Sequence, residues 1–330
     1  MAARITMKPR LVLLEVGAYS EPQLSSLTEM FEVVTIDIRH QHKAVELLQM
    51  HQPVAIFVGL GLLIDQAILD ASANLRWVVS PTTGSDHIDL LHASRLNVKV
   101  VTLRDVTSEI SAISSTAELA WGLVLALARR MTSAHQSVMS GIWDRTLFKG
   151  VELRGKTMGV VGLGRLGSFV AQYALSFGMK VLAVDVRTTA TLPSVKCVEM
   201  SEMANKAHVI SVHVPLSLKT EHLIDWPFLQ QLQNGALLVN TSRGQIVDEV
   251  AVAMAIREGI LGGYGTDVLA GERTWNGRLE TNVITPLIAE GFNVIVTPHI
   301  GGYTTEAISQ TRGQIVAVFL DRYRHELQQS

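Results

Sequence analysis

One cysteine in 330 residues, Cys197, leaves any internal disulfide without a second thiol. Disulfide frameworks belong to oxidising compartments, so a reducing, cytoplasmic setting is expected. An excess of charge is missing too. Lys and Arg number 28 against 30 Asp and Glu, a net charge of −2. Nothing in that balance favours nucleic acid or an anionic membrane surface as a partner. Long apolar runs are absent: the longest, residues 119–128, falls well short of the ~18–20 residues of a membrane span. At the N-terminus, basic residues precede an apolar stretch, but the stretch is short and Glu15 breaks it, so it reads as a first strand. No His/Cys/carboxylate group has metal-ligand spacing, so no metal is expected. There is no internal repeat, low-complexity tract or disordered tail.

What is there suits a large core. The chain is 48% hydrophobic and 18% charged, and at ~150 residues per domain its length suggests two domains. Strand-like segments at 11–16, 31–36, 54–58, 76–79 and 98–102 alternate with helix-like segments at 21–30, 41–50, 64–72 and after Gly84. That alternation implies a parallel sheet with helices on both faces. The pattern changes near 107. Within Thr107 to Met131 a helix is expected to include Ser115-Thr-Ala-Glu-Leu-Ala-Trp-Gly-Leu-Val-Leu-Ala-Leu-Ala-Arg-Arg, and its residues 119–128 are apolar on nearly every face. Such a helix must be buried between layers or against a second subunit. A second helix should run to about Ser140, with Trp143 beyond it. From 157 the rhythm restarts, with strands at 157–161, 180–184, 208–212, 236–239, 262–266 and 294–296. A final helix at about 304–324 carries Ala307, Ile308, Ile315, Val318 and Phe319. Residues 271–293 fit no element.

After the strand 157–161 comes Gly162-Leu-Gly-Arg-Leu-Gly167. In a G-x-G-x-x-G turn the first glycine allows the tight bend. The second lets backbone approach a pyrophosphate, and the third lets helix and strand pack closely. The helix start near Arg165 offers free N–H groups to the anion. The next strand ends at Asp185, whose carboxylate would accept the ribose hydroxyls and repel a 2′-phosphate, favouring NAD over NADP. Arg187 could attract such a phosphate but reads better as a solvated charge.

Three polar residues, Arg243, Glu272 and His299, each end a strand-like stretch. In an open parallel sheet, ligands bind beyond the carboxyl ends of the strands. A cation, a carboxylate and an imidazole can therefore meet there. Reduction of a 2-keto acid needs a proton donor to the carbonyl oxygen, which suits His299. It also needs a cation for the carboxylate and the polarised carbonyl, which suits the guanidinium fork of Arg243. Glu272 beside the ring would orient it and favour the protonated form.

The segments Glu152-Leu-Arg-Gly-Lys-Thr-Met-Gly-Val-Val-Gly-Leu-Gly-Arg-Leu-Gly, Val212-His-Val-Pro-Leu, Val239-Asn-Thr-Ser-Arg-Gly-Gln-Ile-Val-Asp-Glu, Gly265-Thr-Asp-Val-Leu-Ala-Gly-Glu and Thr297-Pro-His-Ile-Gly-Gly stand in register. Together they make the chain resemble the D-isomer-specific 2-hydroxyacid dehydrogenases from about residue 75 to 305. The resemblance implies two doubly wound α/β domains: a Rossmann NAD-binding domain at 106–299 and a flavodoxin-like substrate domain at 1–105 and 300–330, with helices of 107–140 as a dimer arm. It implies a catalytic set of Arg243, Glu272 and His299. Cofactor contacts are implied for Gly162, Gly164, Arg165, Leu166, Gly167, Asp185, His213, Val214, Pro215, Thr241 and Asp267, with Asp267 holding the nicotinamide carboxamide. Backbone amides at Thr83 and Gly84, in Ser80-Pro-Thr-Thr-Gly-Ser-Asp-His-Ile-Asp89, would form an anion nest for the substrate carboxylate. His87 and Asp89 there read as helix-start residues.

The implied activity is NAD-dependent reduction of a small 2-keto acid: glyoxylate-like, hydroxypyruvate-like or sugar-derived. Two alternatives are an NAD(H)-sensing corepressor-like binding protein and a 3-phosphoglycerate dehydrogenase. Ser80 stands where phosphoglycerate-using relatives place a basic residue, and no C-terminal regulatory domain is seen, which argues against the latter. Thr83 in place of Lys disfavours phosphite oxidation, and Glu272 in place of Gln disfavours formate oxidation. The chain departs from the family at Leu269, where Phe is usual, and at Arg273, where Pro is usual. His213 reads as structural near the cofactor, Trp121 and Trp143 as core or interface, and Cys197 as inert.

Overall fold

The computed structural model describes residues 8–14, 19–36, 38, 40–106, 108, 110–187, 192–275 and 278–329. Glu15 and Val16 of the expected first strand, and Thr107 at the start of the segment expected to contain a helix, lie outside them. The chain forms two compact units. One comprises Met1–Ile113, Arg273–Leu279 and Thr305–Ser330, and the other Ser114–Glu272 and Glu280–Thr304.

The first unit holds β1 (Arg10–Leu13), β2 (Glu32–Thr35), β3 (Ala55–Phe57), β4 (Trp77–Ser80) and β5 (Lys99–Thr102). All pairs are parallel, in the order β2-β1-β3-β4-β5. Successive side chains of a strand point to opposite faces. Leu11 and Leu13 accordingly join Phe57, Trp77 and Val79 in one apolar cluster. Val12 and Leu14 join Ile56, Val58 and Val78 in another. A sheet covered on both faces needs strands that are apolar throughout, which is why these segments read as continuous runs. The helix Thr305–Gln329 covers the first cluster with Ile315, Val316, Phe319 and Leu320. It runs past the expected end near 324. Phe319 meets Phe57 edge-on at 5.2 Å and Trp77 at 5.7 Å.

The second unit continues with β6 (Thr157–Val161), β7 (Lys180–Val184), β8 (Val195–Cys197), β9 (Val209–Val212), β10 (Ala236–Asn240), β11 (Leu261–Thr266) and β12 (Val294–Val296). They form one parallel sheet ordered β12-β11-β10-β9-β6-β7-β8. The order reverses at β6, which lies between β7 and β9, and such a switch point opens a crevice at the carboxyl ends. The edge strand β8 was not expected, nor were the helices Met200–Lys206, Trp226–Leu229 and Glu249–Arg257. Within 271–293 the structure places a 3₁₀ turn at Glu272–Thr274 and a helix at Thr285–Ala289. Elements of three to five residues are too short to show a period.

The apolar helix spans Ser115–Ala128, within the expected segment. It packs on β10, β11 and the helix Arg165–Ser176 within its own unit. Ala117, Ala120 and Val124 are fully buried with Val160 and Val239, while Glu118 and Gly122 are exposed and Leu119, Leu125 and Ala126 half-buried. Trp121 meets Phe177 at 4.8 Å and is a core residue. The following helix, Met131–Met139, buries none of its residues, and Trp143 beyond it is 91% exposed.

Candidate active site

The bend after β6 needs its glycines. Gly162 has φ +93°, and a β-carbon there would sit 2.7 Å from the His213 carbonyl oxygen. A β-carbon on Gly167 would strike the Gly162 carbonyl, so bend and helix pack backbone to backbone. Gly164 is the N-cap of the helix Arg165–Ser176 and faces open space where a side chain would lie. The first N–H groups of a helix lack intrahelical partners and suit an anion. Arg165 stands in that first turn, where burial works against its charge. Beside it, Leu166 packs against the unit's core.

Asp185 follows β7 and reaches into the bend. Its Oδ2 accepts the Leu163 N–H at 2.7 Å, and its Oδ1 accepts the Arg187 N–H at 3.0 Å and Nε at 2.9 Å. The Arg187 guanidinium, with its hydrogen bonds and charge, pulls the carboxyl down to about 2. Arg187 is thus tied to the loop rather than a free solvated charge. After β9, His213 pairs its Nε2 with Ser211 Oγ at 2.8 Å. Burial pushes this imidazole down to about 4, so it is neutral at pH 7, and its Nδ1 is enclosed without a partner. The Val214 side chain packs against Gly162, and the Pro215 carbonyl accepts the Thr220 hydroxyl at 2.6 Å. Thr241, after β10, is buried. A tight glycine bend, open space at Gly164 and an ionised carboxylate at the end of β7 fit a dinucleotide.

The three catalytic candidates lie in the second unit, on neighbouring strand ends. His299 follows β12 with a left-handed backbone, φ +55°, a region that His visits more readily than most residues. Its Nδ1 lies 2.6 Å from Glu272 Oε1. The other Glu272 oxygen accepts the Leu269 N–H at 3.1 Å, so the carboxylate is held by its own turn. With Nδ1 committed to Glu272, Nε2 is the ring atom left for a substrate. Arg243 follows β10 and is half-buried. Burial works against its charge, and the nearby Glu272 carboxylate works for it.

Asp267, 1% exposed, organises the His299 turn. Oδ1 accepts the Thr297 hydroxyl at 2.6 Å and the Ile300 N–H at 2.8 Å, and Oδ2 accepts the Gly301 N–H at 2.7 Å. Burial raises its pKa, and these hydrogen bonds oppose the rise. A carboxylate has about four acceptor positions, and these bonds use three.

Several supporting residues escaped the sequence reading. Glu249, the first residue of its helix, accepts the Ala270 N–H at 2.7 Å and so props the turn that carries Glu272. Burial raises its pKa, and Glu272 adds to the rise. Asn240 accepts from Ser242 N–H at 3.0 Å and donates to the Arg243 carbonyl at 2.9 Å. An Asn at a strand end, bonding backbone two residues on, was the available signal.

The loop bearing Thr83 and Gly84 belongs to the first unit. Ser80 Oγ joins Thr82 Oγ1 at 2.9 Å and His87 Nε2 at 3.1 Å, and the Thr82 hydroxyl donates to the Gly84 carbonyl at 2.7 Å. Asp89 caps the helix Leu90–Arg95 through the His92 N–H, while His87 is buried outright. Arg273 forms an ion pair with Asp86 of this loop.

The family model of the D-isomer specific 2-hydroxyacid dehydrogenase, NAD binding domain, matches residues 121–301. The glyoxylate reductase of Thermofilum pendens is 33% identical over 87% of this chain and 84% of its own length. The hydroxypyruvate reductase of Thermotoga maritima is 35% identical over 73% of this chain and 75% of its own. Among solved structures, the D-lactate dehydrogenase of Aquifex aeolicus, complexed with NAD and lactic acid, superposes with a TM-score of 0.82 at 26% identity, covering 97% of each chain.

Proposed function

The chain belongs to the D-isomer-specific 2-hydroxyacid dehydrogenase family and is an NAD-dependent oxidoreductase, and we propose that it reduces a small 2-keto acid of the glyoxylate or hydroxypyruvate class through Arg243, Glu272 and His299. The observation that carries this reading is the 2.6 Å contact between His299 Nδ1 and Glu272 Oε1, with Arg243 close enough for the carboxylate to favour its charge. Bound NADH supplies the hydride for the substrate carbon. His299 donates a proton from Nε2 to the carbonyl oxygen, and takes it back in the reverse direction. Glu272 fixes the ring so that Nε2 faces the substrate. Arg243 holds the substrate carboxylate and draws electron density from the carbonyl. Asp267 offers its remaining acceptor position to the carboxamide.

The substrate class follows from the similar reductases and from Ser80. That residue is fully buried and engaged with Thr82 and His87, so it offers no cation to a substrate phosphate. We also place the protein in the cytoplasm as a homodimer. The single cysteine supports the compartment, and among the described residues no helix is long and apolar enough to cross a membrane. Met131, Val138, Met139, Ile142, Trp143 and Leu147 are exposed on one stretch of chain, the kind of apolar surface that a second copy covers.

The test is NADH oxidation with glyoxylate, hydroxypyruvate, pyruvate and phosphohydroxypyruvate. Turnover fastest with glyoxylate or hydroxypyruvate is expected. NADH binding without turnover of any acid would replace the enzyme reading with that of a nicotinamide-sensing binding protein, and preference for the phosphorylated acid would overturn the substrate class.

A further inference from the structure

The turn that carries Glu272 is held from a second side. Its first two amides each meet a carboxylate. The Leu269 N–H donates to Glu272 Oε2 at 3.1 Å, and the Ala270 N–H donates to Glu249 Oε1 at 2.7 Å. The first carboxylate belongs to the turn itself. The second comes from the helix Glu249–Arg257, whose N-cap Asp248 accepts the Val250 N–H at 3.0 Å and the Ala251 N–H at 3.1 Å. A group on the first turn of a capped helix is a firmer support than one on a loop. The backbone also packs closely there: a β-carbon on Gly244, next to Arg243, would sit 2.2 Å from the Ala270 nitrogen. The stretch from Arg243 to Glu249 and the stretch from Leu269 to Glu272 therefore meet twice, once backbone to backbone and once through the Glu249 side chain.

Charge alone does not account for a carboxylate at this spot. Glu249 is half-buried. Burial works against its ionised form, the Ala270 N–H works for it, and the charges of Glu272 and Asp248 work against it again. What Oε1 supplies is a hydrogen-bond acceptor at the right reach, and without it the Ala270 N–H would leave the turn free to shift. Glu272 is the side chain such a shift displaces, and its Oε1 meets His299 Nδ1 at 2.6 Å. That contact tolerates little movement, since hydrogen bonds weaken steeply once misaligned.

We propose that Glu249 is a positioning residue for the reaction: as an acceptor for the Ala270 N–H, and not through its charge, it sets Glu272 against His299. The proposal rests on reading Glu272 and His299 as the proton-donating pair.

Two substitutions separate reach from charge. Glu249→Gln keeps an oxygen at the same distance and loses the charge, whereas Glu249→Asp keeps the charge and falls one methylene short. Keto-acid reduction with NADH is measured across pH, with NADH affinity from fluorescence titration and stability from denaturant unfolding. Glu249→Asp should lower kcat about tenfold, the scale of one charge-assisted hydrogen bond. Glu249→Gln should stay within about twofold of wild type, since it still accepts the bond. In Glu249→Asp the alkaline limb should move to lower pH, because a displaced Glu272 favours the imidazolium less and His299 gives up its proton sooner. NADH affinity should be unchanged in both, as the Gly162–Gly167 bend is untouched. A limb left in place while stability falls would make Glu249 a prop for folding only, and overturn the proposal. It is overturned equally if Glu249→Gln is the impaired variant, or if neither or both lose activity. Glu272→Gln is the control. An unmoved limb there removes the Glu272–His299 reading and the proposal with it, whereas a shifted limb beside a fully active Glu249→Asp removes the proposal alone.

Discussion

Two aspartates of the second unit do the same local task, and their pKa values shift in opposite directions. Asp185 gathers N–H groups at the end of β7, and Asp267 gathers them at the end of β11. The Asp185 carboxyl is drawn down to about 2 because Arg187 sits on it. Asp267 is shifted upward because it is buried; its hydrogen bonds only moderate the shift. One turn keeps a charge beneath a half-exposed cation. The other spends three of its acceptor positions inward to hold a turn that presents His299. Residue type and hydrogen bonding are shared, so surroundings decide whether a carboxylate recognises or supports.

If that contrast holds, chemistry should fail on the Asp267 side and binding on the Asp185 side. The largest expected effect is on His299. His299→Ala should lower kcat by ~10²–10⁴ while fluorescence titration finds NADH affinity unchanged. A comparable fall in affinity would mean that the two turns do not divide the work. Next comes Asp267→Ala, which strands two backbone N–H groups and a hydroxyl. Leaving buried donors unmade costs ~1–3 kcal/mol each, so denaturant unfolding should show a loss of at least ~2 kcal/mol. The same measurement on Asp185→Ala should show a smaller loss, because its Arg187 partner is half-exposed and stays solvated. Equal losses would erase the contrast.

Arg243→Lys should raise KM for the keto acid by about tenfold, because a point charge cannot replace the fork. Steady-state kinetics with an unchanged KM would remove Arg243 from carboxylate binding. The smallest effect, and the sharpest, is in pH. Asp185 has a depressed native pKa, so its contribution to stability is complete above the unfolded value of ~3.9 and is lost as pH falls toward about 2. Asp267 has a raised native pKa. Its contribution is complete below the unfolded value and lost as pH rises through the native one. Subtracting the stability of Asp185→Asn and Asp267→Asn from wild type across pH 2–6, on the order of the reference range, should give slopes of opposite sign. Slopes of one sign would contradict the assignment of causes.

The sequence was legible where period and spacing coincide. Strands β6, β7 and β12 fall at the expected residues, since each is a short apolar run bounded by glycine or polar punctuation. Gly162, Asp185, Arg243, Glu272 and His299 could be placed at strand ends because those ends were visible. Edge strand β8 escaped because its three residues, Val195-Lys-Cys, neither alternate clearly nor bury fully. The Arg187–Asp185 pair escaped because a cation two residues from an anion is ordinary on a surface, and only side-chain geometry separates a bonded pair from a solvated one. The Asp86–Arg273 pair lies beyond local reading altogether. Its partners are far apart in sequence, and the arginine registered only as a departure from a family pattern.

The first unit is built from both ends of the described chain, with Thr305–Gln329 laid over Phe57 and Trp77. On the ribosome this imposes an order. The second unit, continuous except for Arg273–Leu279, can bury its own core once residue 304 has emerged. The unit whose synthesis starts first must wait with an uncovered aromatic face until Phe319 arrives. Domains synthesised earlier generally fold earlier; here the unit begun first is the one completed last. Its nascent sheet of Leu11, Phe57 and Trp77 is the surface that a holding chaperone would meet.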